Sequence, residues 1–136
     1  MPLTLVGAPA LAQARPRHPR DLAALPLLAH ATQDSRQTWR FTGPAGETES
    51  LEFQPKCLSS NMATLRSMVR AGLGVGLLPH YLCANMLARG ELIAILPGWQ
   101  AAPSRIYAIM PARRGEPLAL RRFLEIAAAE LPALLA

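Results

Sequence analysis

Lysine is almost missing from this chain. Lys56 is the only one among 14 basic residues, so arginine carries the formal net charge of +5. The arginines are scattered, and only Arg15-Arg17-Arg20, Arg113-Arg114 and Arg121-Arg122 come close together. Aromatic residues make up 5% of the chain, and no aromatic series interleaves with those clusters as a single-strand binder requires. The basic balance therefore reads as a solvated arginine-rich surface rather than a nucleic-acid footprint.

Cysteine and histidine are also sparse. Cys57 and Cys83 lack metal-ligand spacing and read as two buried free thiols, with a disulfide open only in an oxidising compartment. His18, His30 and His80 have no metal-ligand spacing either, so neither a metal nor a cofactor is expected. No apolar run approaches the ~20 residues needed to cross a bilayer, and no membrane partner is expected. The first residues end in Ala12-Gln13-Ala14, which looks like a small-residue cleavage site. Pro9 interrupts the run and the first positive charge is Arg15, so a secretory signal is not expected.

What is present suffices for a core. Of the 136 residues, 51% are apolar and 17% charged, which excludes wholesale disorder. Residues 3–6 read as a buried strand before the Gly7-Pro9 turn, and 27–29 as another. Between them Pro19 opens a short helix with Asp21 in its first turn. Trp39-Arg40-Phe41 alternates with period two, Gly43-Pro44-Ala45-Gly46 turns the chain, and residues 48–53 return, which predicts a β-hairpin. Ser59-Ser60-Asn61 offers cap side chains ahead of Met62, Leu65, Met68 and Val69 at helical spacing, with Gly72 as the stop. A strand over 75–78, a helix over 81–89, strands over 92–96 and 106–110, and a last helix from Pro117 to Pro132 complete the pattern. That helix carries Leu120, Phe123, Leu124 and Ala127 on one face. Strands and helices alternate, so the expected fold class is α/β.

Two tempting motifs fail on order. A phosphate cradle needs strand, glycines, then a helix N-terminus, whereas Gly72-Leu73-Gly74-Val75-Gly76 follows a helix and leads into a strand. The glycines read instead as a helix stop and a strand held close to neighbouring backbone. A helix-turn-helix joins its helices by three or four residues, but residues 73–79 are apolar and strand-like. No Gly-x-Ser-x-Gly elbow or other catalytic constellation is found, so no enzyme is expected.

The run Met68-Val69-Arg70-Ala71-Gly72-Leu73-Gly74-Val75-Gly76-Leu77-Leu78-Pro79 resembles the effector-domain signature of LysR-type transcriptional regulators. Leu87-Ala88-Arg89-Gly90-Glu91-Leu92, Leu96-Pro97-Gly98-Trp99, the stretch 106–114 and Leu120-Arg121-Arg122-Phe123-Leu124 follow in the family's order. Pro16-Arg17-His18-Pro19-Arg20-Asp21 and Trp39-Arg40-Phe41 match upstream. The resemblance implies a fold like a type 2 periplasmic binding protein, mostly one lobe plus a remnant strand and helix of the other. Residues 9–103 would form effector lobe two, and 1–8 with 104–136 the remnant of lobe one. The family's winged helix-turn-helix, linker helix and first half of lobe one have no counterpart here. DNA contact is therefore expected only through a domain absent from this chain.

The resemblance further implies a small-molecule effector, often an organic acid, bound between two lobes in a cytoplasmic regulator that forms dimers or higher oligomers. Its expected contacts here are Ala8, Ser59, Ser60 and Asn61, the last three because hydroxyls, an amide and free helix N–H groups converge there. The alternative for these three is ordinary helix capping. Ala8 replaces a Ser or Thr of the family, and His18 replaces a hydroxyl cap. Ile106, Ile109, Phe123 and Leu124 are expected to be left as exposed apolar surface. Alternative functions are a solute-binding lobe of the same fold and a small α/β enzyme.

Overall fold

The structure is a computed structural model that describes residues 1–32, 36–110 and 117–136. The strands are β1 (Leu3–Gly7), β2 (Leu27–His30), β3 (Gln37–Thr42), β4 (Thr48–Phe53), β5 (Cys57–Ser59), β6 (Val75–Pro79), β7 (Ile93–Ala94) and β8 (Gln100–Ala101). The α-helices are α1 (Met62–Arg70), α2 (His80–Ala88) and α3 (Leu118–Leu134), and two 3₁₀ helices span Pro9–Ala14 and Pro19–Ala24. A five-stranded sheet has the order β5-β2-β6-β1-β7, and a three-stranded sheet the order β4-β3-β8. β2 runs parallel to β5 and β6, and β1 runs antiparallel to β6 and β7.

Period-two alternation sorts the large sheet's side chains into two cores. Leu5, Leu27, Ala29 and Val75 face the small sheet, where Trp39 and Phe41 are buried. Val6, Leu28 and Leu78 face the opposite way onto Leu65 and Val69 of α1 and Cys83 of α2. Both faces of the central strands are covered, which is why they read as continuous apolar runs. Each fully buried Leu or Val contributes about 1.5–3 kcal/mol relative to exposure.

The glycine cluster behaves as its sequence order implies. Gly72 ends α1 in the left-handed conformation, with φ +81°. A Cβ on Gly74 would stand 2.4 Å from the Pro26 carbonyl oxygen, and one on Gly76 2.7 Å from Val69 Cγ2. The chain entering and forming β6 thus lies too close to Pro26, just ahead of β2, and to α1 for any side chain at these positions. The hairpin β3–β4 is also as expected, turning at Gly46 with φ +82°.

Several expectations need correction. Residues 106–110 form no strand, and Ile106, Tyr107 and Ile109 are 59%, 70% and 93% exposed. A strand needs a neighbour to bond, and none of the described strands pairs with this stretch. The 92–96 strand shrinks to β7, because Leu96 adopts φ +55° and bends the chain off the sheet. The helix opened by Pro19 is 3₁₀ rather than α, and Pro132 lies inside α3 instead of ending it. Cys57–Ser59, for which no strand is expected from the sequence, pairs as an edge strand with β2. The Arg113-Arg114 pair lies outside the described residues.

α3 buries none of its residues, and Phe123 is 65% exposed. The exposure expected for Ile106, Ile109 and Phe123 is therefore present, while Leu124 is half-buried.

Candidate functional site

The parallel strands β5, β2 and β6 all point their carboxyl ends to one edge of the large sheet, where β1 begins. That is the edge at which α/β sheets receive ligands, because the following helices start there and present free N–H groups. α1 follows β5 and α2 follows β6, so both helices, nine residues each, start at this edge.

Asn61 is the cap of α1. Its Oδ1 accepts from the backbone N–H of Ala63 at 2.9 Å and of Thr64 at 3.0 Å. The Ser59 hydroxyl donates to the Asn61 carbonyl oxygen at 2.9 Å and lies 3.2 Å from the Asn61 nitrogen. The Ser60 carbonyl oxygen lies 3.2 Å from His30 Nε2, a contact that requires the ring proton on Nε2. Ser59, Ser60 and Asn61 are thus together at the sheet edge, already engaged in capping, with Ser60 and Asn61 exposed.

Ala8 is not among them. β1 starts at the edge with Leu3, and five residues at roughly 3.3 Å each place Ala8 about 16 Å away, at the far end of the sheet. There it is buried, beside the Gly72 that ends α1.

Beside the cap lies a cavity of about 420 Å³. Its floor includes Trp39, Met62 and Leu77, and its polar lining includes His30, Gln37 and Arg40. Gln37 Nε2 donates to the Thr32 hydroxyl at 2.7 Å. Arg40 is exposed, and none of the described residues lining the cavity is acidic. The arrangement suits a small ligand with an apolar body and a negative charge. Sequence reasoning missed His30, Gln37 and Arg40. His30 ends β2 and Gln37 starts β3, whereas Arg40 lies inside β3 and carried no positional signal.

Met1 and Ser104 also line the cavity and are bonded to each other. The Ser104 N–H donates to the Met1 carbonyl oxygen at 3.1 Å, and the Met1 nitrogen donates to the Ser104 carbonyl oxygen at 3.2 Å.

Other titratable groups have structural partners. Asp21 Oδ2 accepts from the Arg17 and His18 N–H groups at 3.0 and 2.9 Å, which holds its carboxyl below the ordinary carboxylate pKa. The His18 ring accepts from the Arg20 N–H at 3.3 Å, so it caps the 3₁₀ helix as a hydroxyl would. Burial pushes the Cys83 thiol up, and its Sγ lies 3.4 Å from the His80 carbonyl oxygen. No group of three His, Cys, Asp or Glu that could hold a metal occurs among the described residues. No described helix is long and apolar enough to cross a membrane.

Residues 1–132 match the family model described as the LysR substrate binding domain. Over 121 residues the chain is 33% identical to the HTH-type transcriptional regulator PtxR of Pseudomonas aeruginosa, covering 89% of this chain and 37% of that protein. The HTH-type transcriptional activator AaeR of Escherichia coli is 27% identical over 103 residues, covering 76% of this chain and 33% of its own. The regulatory domain of AphB in Vibrio vulnificus superposes with a TM-score of 0.67 at 28% identity, covering 94% of this chain and 64% of that one. The chain spans about a third of the length of the curated relatives it matches.

Proposed function

The chain belongs to the LysR substrate-binding domain family, and from that footing we propose that it is effector-sensing machinery of a transcriptional regulator, acting by binding rather than turnover. The lobe division is part of the proposal. Residues 9–103, with β1 threaded through their sheet, form the second effector lobe, and 104–136 together with the first residues belong to the other. Met1 and Ser104 mark the two crossings between them. The setting is the cytoplasm, the assembly is an oligomer, and DNA is contacted through a separate helix-turn-helix domain.

The observation that carries this reading is the cavity at the carboxyl end of β2 and beside β6, with Arg40 among its lining residues, an apolar floor and no acid among the described ones. A small organic anion seats its charge between Arg40 and the Ser60-Asn61 end of α1, and its body on Met62 and Leu77. Binding there and to the facing lobe favours one lobe arrangement over another, and the linked DNA-binding domains respond to that shift.

The test is a heteronuclear NMR titration of the chain with small carboxylates and their neutral amides. Carboxylates are expected to move resonances of residues 28–40, 59–64 and 104, with Arg40→Gln weakening them roughly tenfold, as loss of a charge-assisted contact does. Shifts that favour the amides, or that map to the Ala8 end of the sheet, would count against the site.

A further inference from the structure

A second concave surface lies at the end of the large sheet away from the Met1–Ser104 contact, where Ile93 pairs with Gly7. It is a groove of about 470 Å³ whose walls include Arg15, Arg17, Pro44, Ile93, Leu96 and Trp99, and every lining residue falls between 12 and 99. The groove is therefore complete within one lobe. Two cations line it and no acid does. Neither guanidinium has a hydrogen-bond or ion-pair partner among the described residues. The acids nearby are engaged elsewhere. Asp21 holds the Arg17 and His18 N–H groups, and Glu49 Oε1 lies 3.6 Å from His18 Nε2.

The walls are fixed before any ligand arrives. The Trp99 indole N–H donates to the Arg17 carbonyl oxygen at 3.1 Å, and the His18 ring meets the indole edge-on, with 5.0 Å between ring centres. The Arg17 N–H donates to Asp21 at 3.0 Å, so both polar groups of the Arg17 backbone are bound. Pro16, between the two arginines, restricts the backbone of Arg15 as well as its own. Among the described residues other than glycine, positive φ occurs at Arg15, +37°, and Leu96, +55°, and both line this groove. Backbone held in that region is costly, and it gathers at ligand clamps.

We propose that this groove binds a small aromatic dianion, of the class of an aryl phosphate, at a site separate from the cavity beside α1. Two unpaired guanidiniums match two negative charges, and the planar fork of each suits phosphate oxygens. The ring rests against Trp99 and on the aliphatic side chains of Ile93 and Leu96. The volume lies within the ordinary range of small-molecule sites. Because the walls are already ordered, little conformational freedom is lost on binding. This inference stands on the groove alone and does not depend on the effector reading.

The experiment is a heteronuclear NMR titration of the chain with phenyl phosphate, inorganic phosphate and phenol, at constant ionic strength and at a pH well above the second phosphate pKa of about 6. Phenyl phosphate is expected to give saturable shifts of the Trp99 indole N–H and of residues 12–17 and 93–98, with an affinity at least about tenfold above either fragment. Arg15→Gln and Arg17→Gln should each weaken it roughly five- to tenfold, and the double variant should abolish it. Arg15→Gly removes a cation and a left-handed strain together, so it should lose affinity while melting no lower than the wild type. That separates binding from folding. No saturable shift below about 20 mM, inorganic phosphate bound as tightly as phenyl phosphate, or a double variant with wild-type affinity would overturn the proposal. So would shifts confined to residues 28–40 and 59–64, which would give the aromatic anion to the other cavity.

Discussion

Replacing Gly74 by Ala isolates what the closeness of β2 and β6 contributes. The added Cβ would stand 2.4 Å from the Pro26 oxygen, 3.1 Å from the Pro26 carbonyl carbon and 3.0 Å from Leu28 Cγ. Ordinary contact begins near 3.4 Å, so backbone must retreat by about 1 Å at a fully packed position. Overpacking of this kind costs about 1–3 kcal/mol. The same oxygen accepts from the Val75 N–H at 2.8 Å, and weakening that bond adds roughly 1 kcal/mol. The unfolded chain loses freedom with Ala, which returns about 0.4–1 kcal/mol. The net expectation is about 2–3 kcal/mol, a fall in melting temperature on the order of 8 °C for a domain of this size. Gly90→Ala is the control, because Gly90 has φ +71° but a Cβ added there would meet nothing within 4 Å. It incurs only the left-handed backbone cost of ~1–2 kcal/mol, less the same entropic return. Urea unfolding followed by circular dichroism compares the two directly. If Gly90→Ala proves as costly as Gly74→Ala, close approach is not what this glycine serves.

Three further outcomes follow from the site and its surroundings. Asn61→Ala should lower stability by about 1 kcal/mol, read by urea unfolding, because two helix N–H groups lose their acceptor. Cys57, half-buried, should react with a thiol reagent well before buried Cys83, whose thiol burial holds protonated at neutral pH; equal rates would contradict the packing of α2. Asp21 has a lowered pKa, so the stability it adds is present above the ordinary carboxylate range and is lost as pH falls below about 4. Wild type and Asp21→Asn should therefore converge in acid and differ at neutral pH, measured by thermal unfolding.

The sequence was legible where local chemistry decides structure. The hairpin at Trp39-Arg40-Phe41, the cap at Asn61 and the stop at Gly72 each rest on a residue whose preference is intrinsic, and the fold retains all three. It was illegible where a distant neighbour decides. Residues 106–110 have the composition of a strand, yet strand formation depends on a partner's N–H and C=O groups. Leu96 bends away from β1 with positive φ, which no propensity for leucine predicts. The candidate site divided along the same line. Ser59, Ser60 and Asn61 gather at the start of α1 because capping is local, and of this segment only Met62 lines the cavity. Ala8 stands where the family carries Ser or Thr, and only the direction of β1 places it at the far end of the sheet. His30 lies on the large sheet and Gln37 and Arg40 on the small one, so only the packing of the two sheets brings them to one cavity.

Residues 1 and 104 are hydrogen-bonded to each other in both directions. Everything between them, both sheets and the two helices that pack on the larger, begins and ends at this one point. A body closed on itself in that way can turn about its single point of closure while disturbing little of its interior.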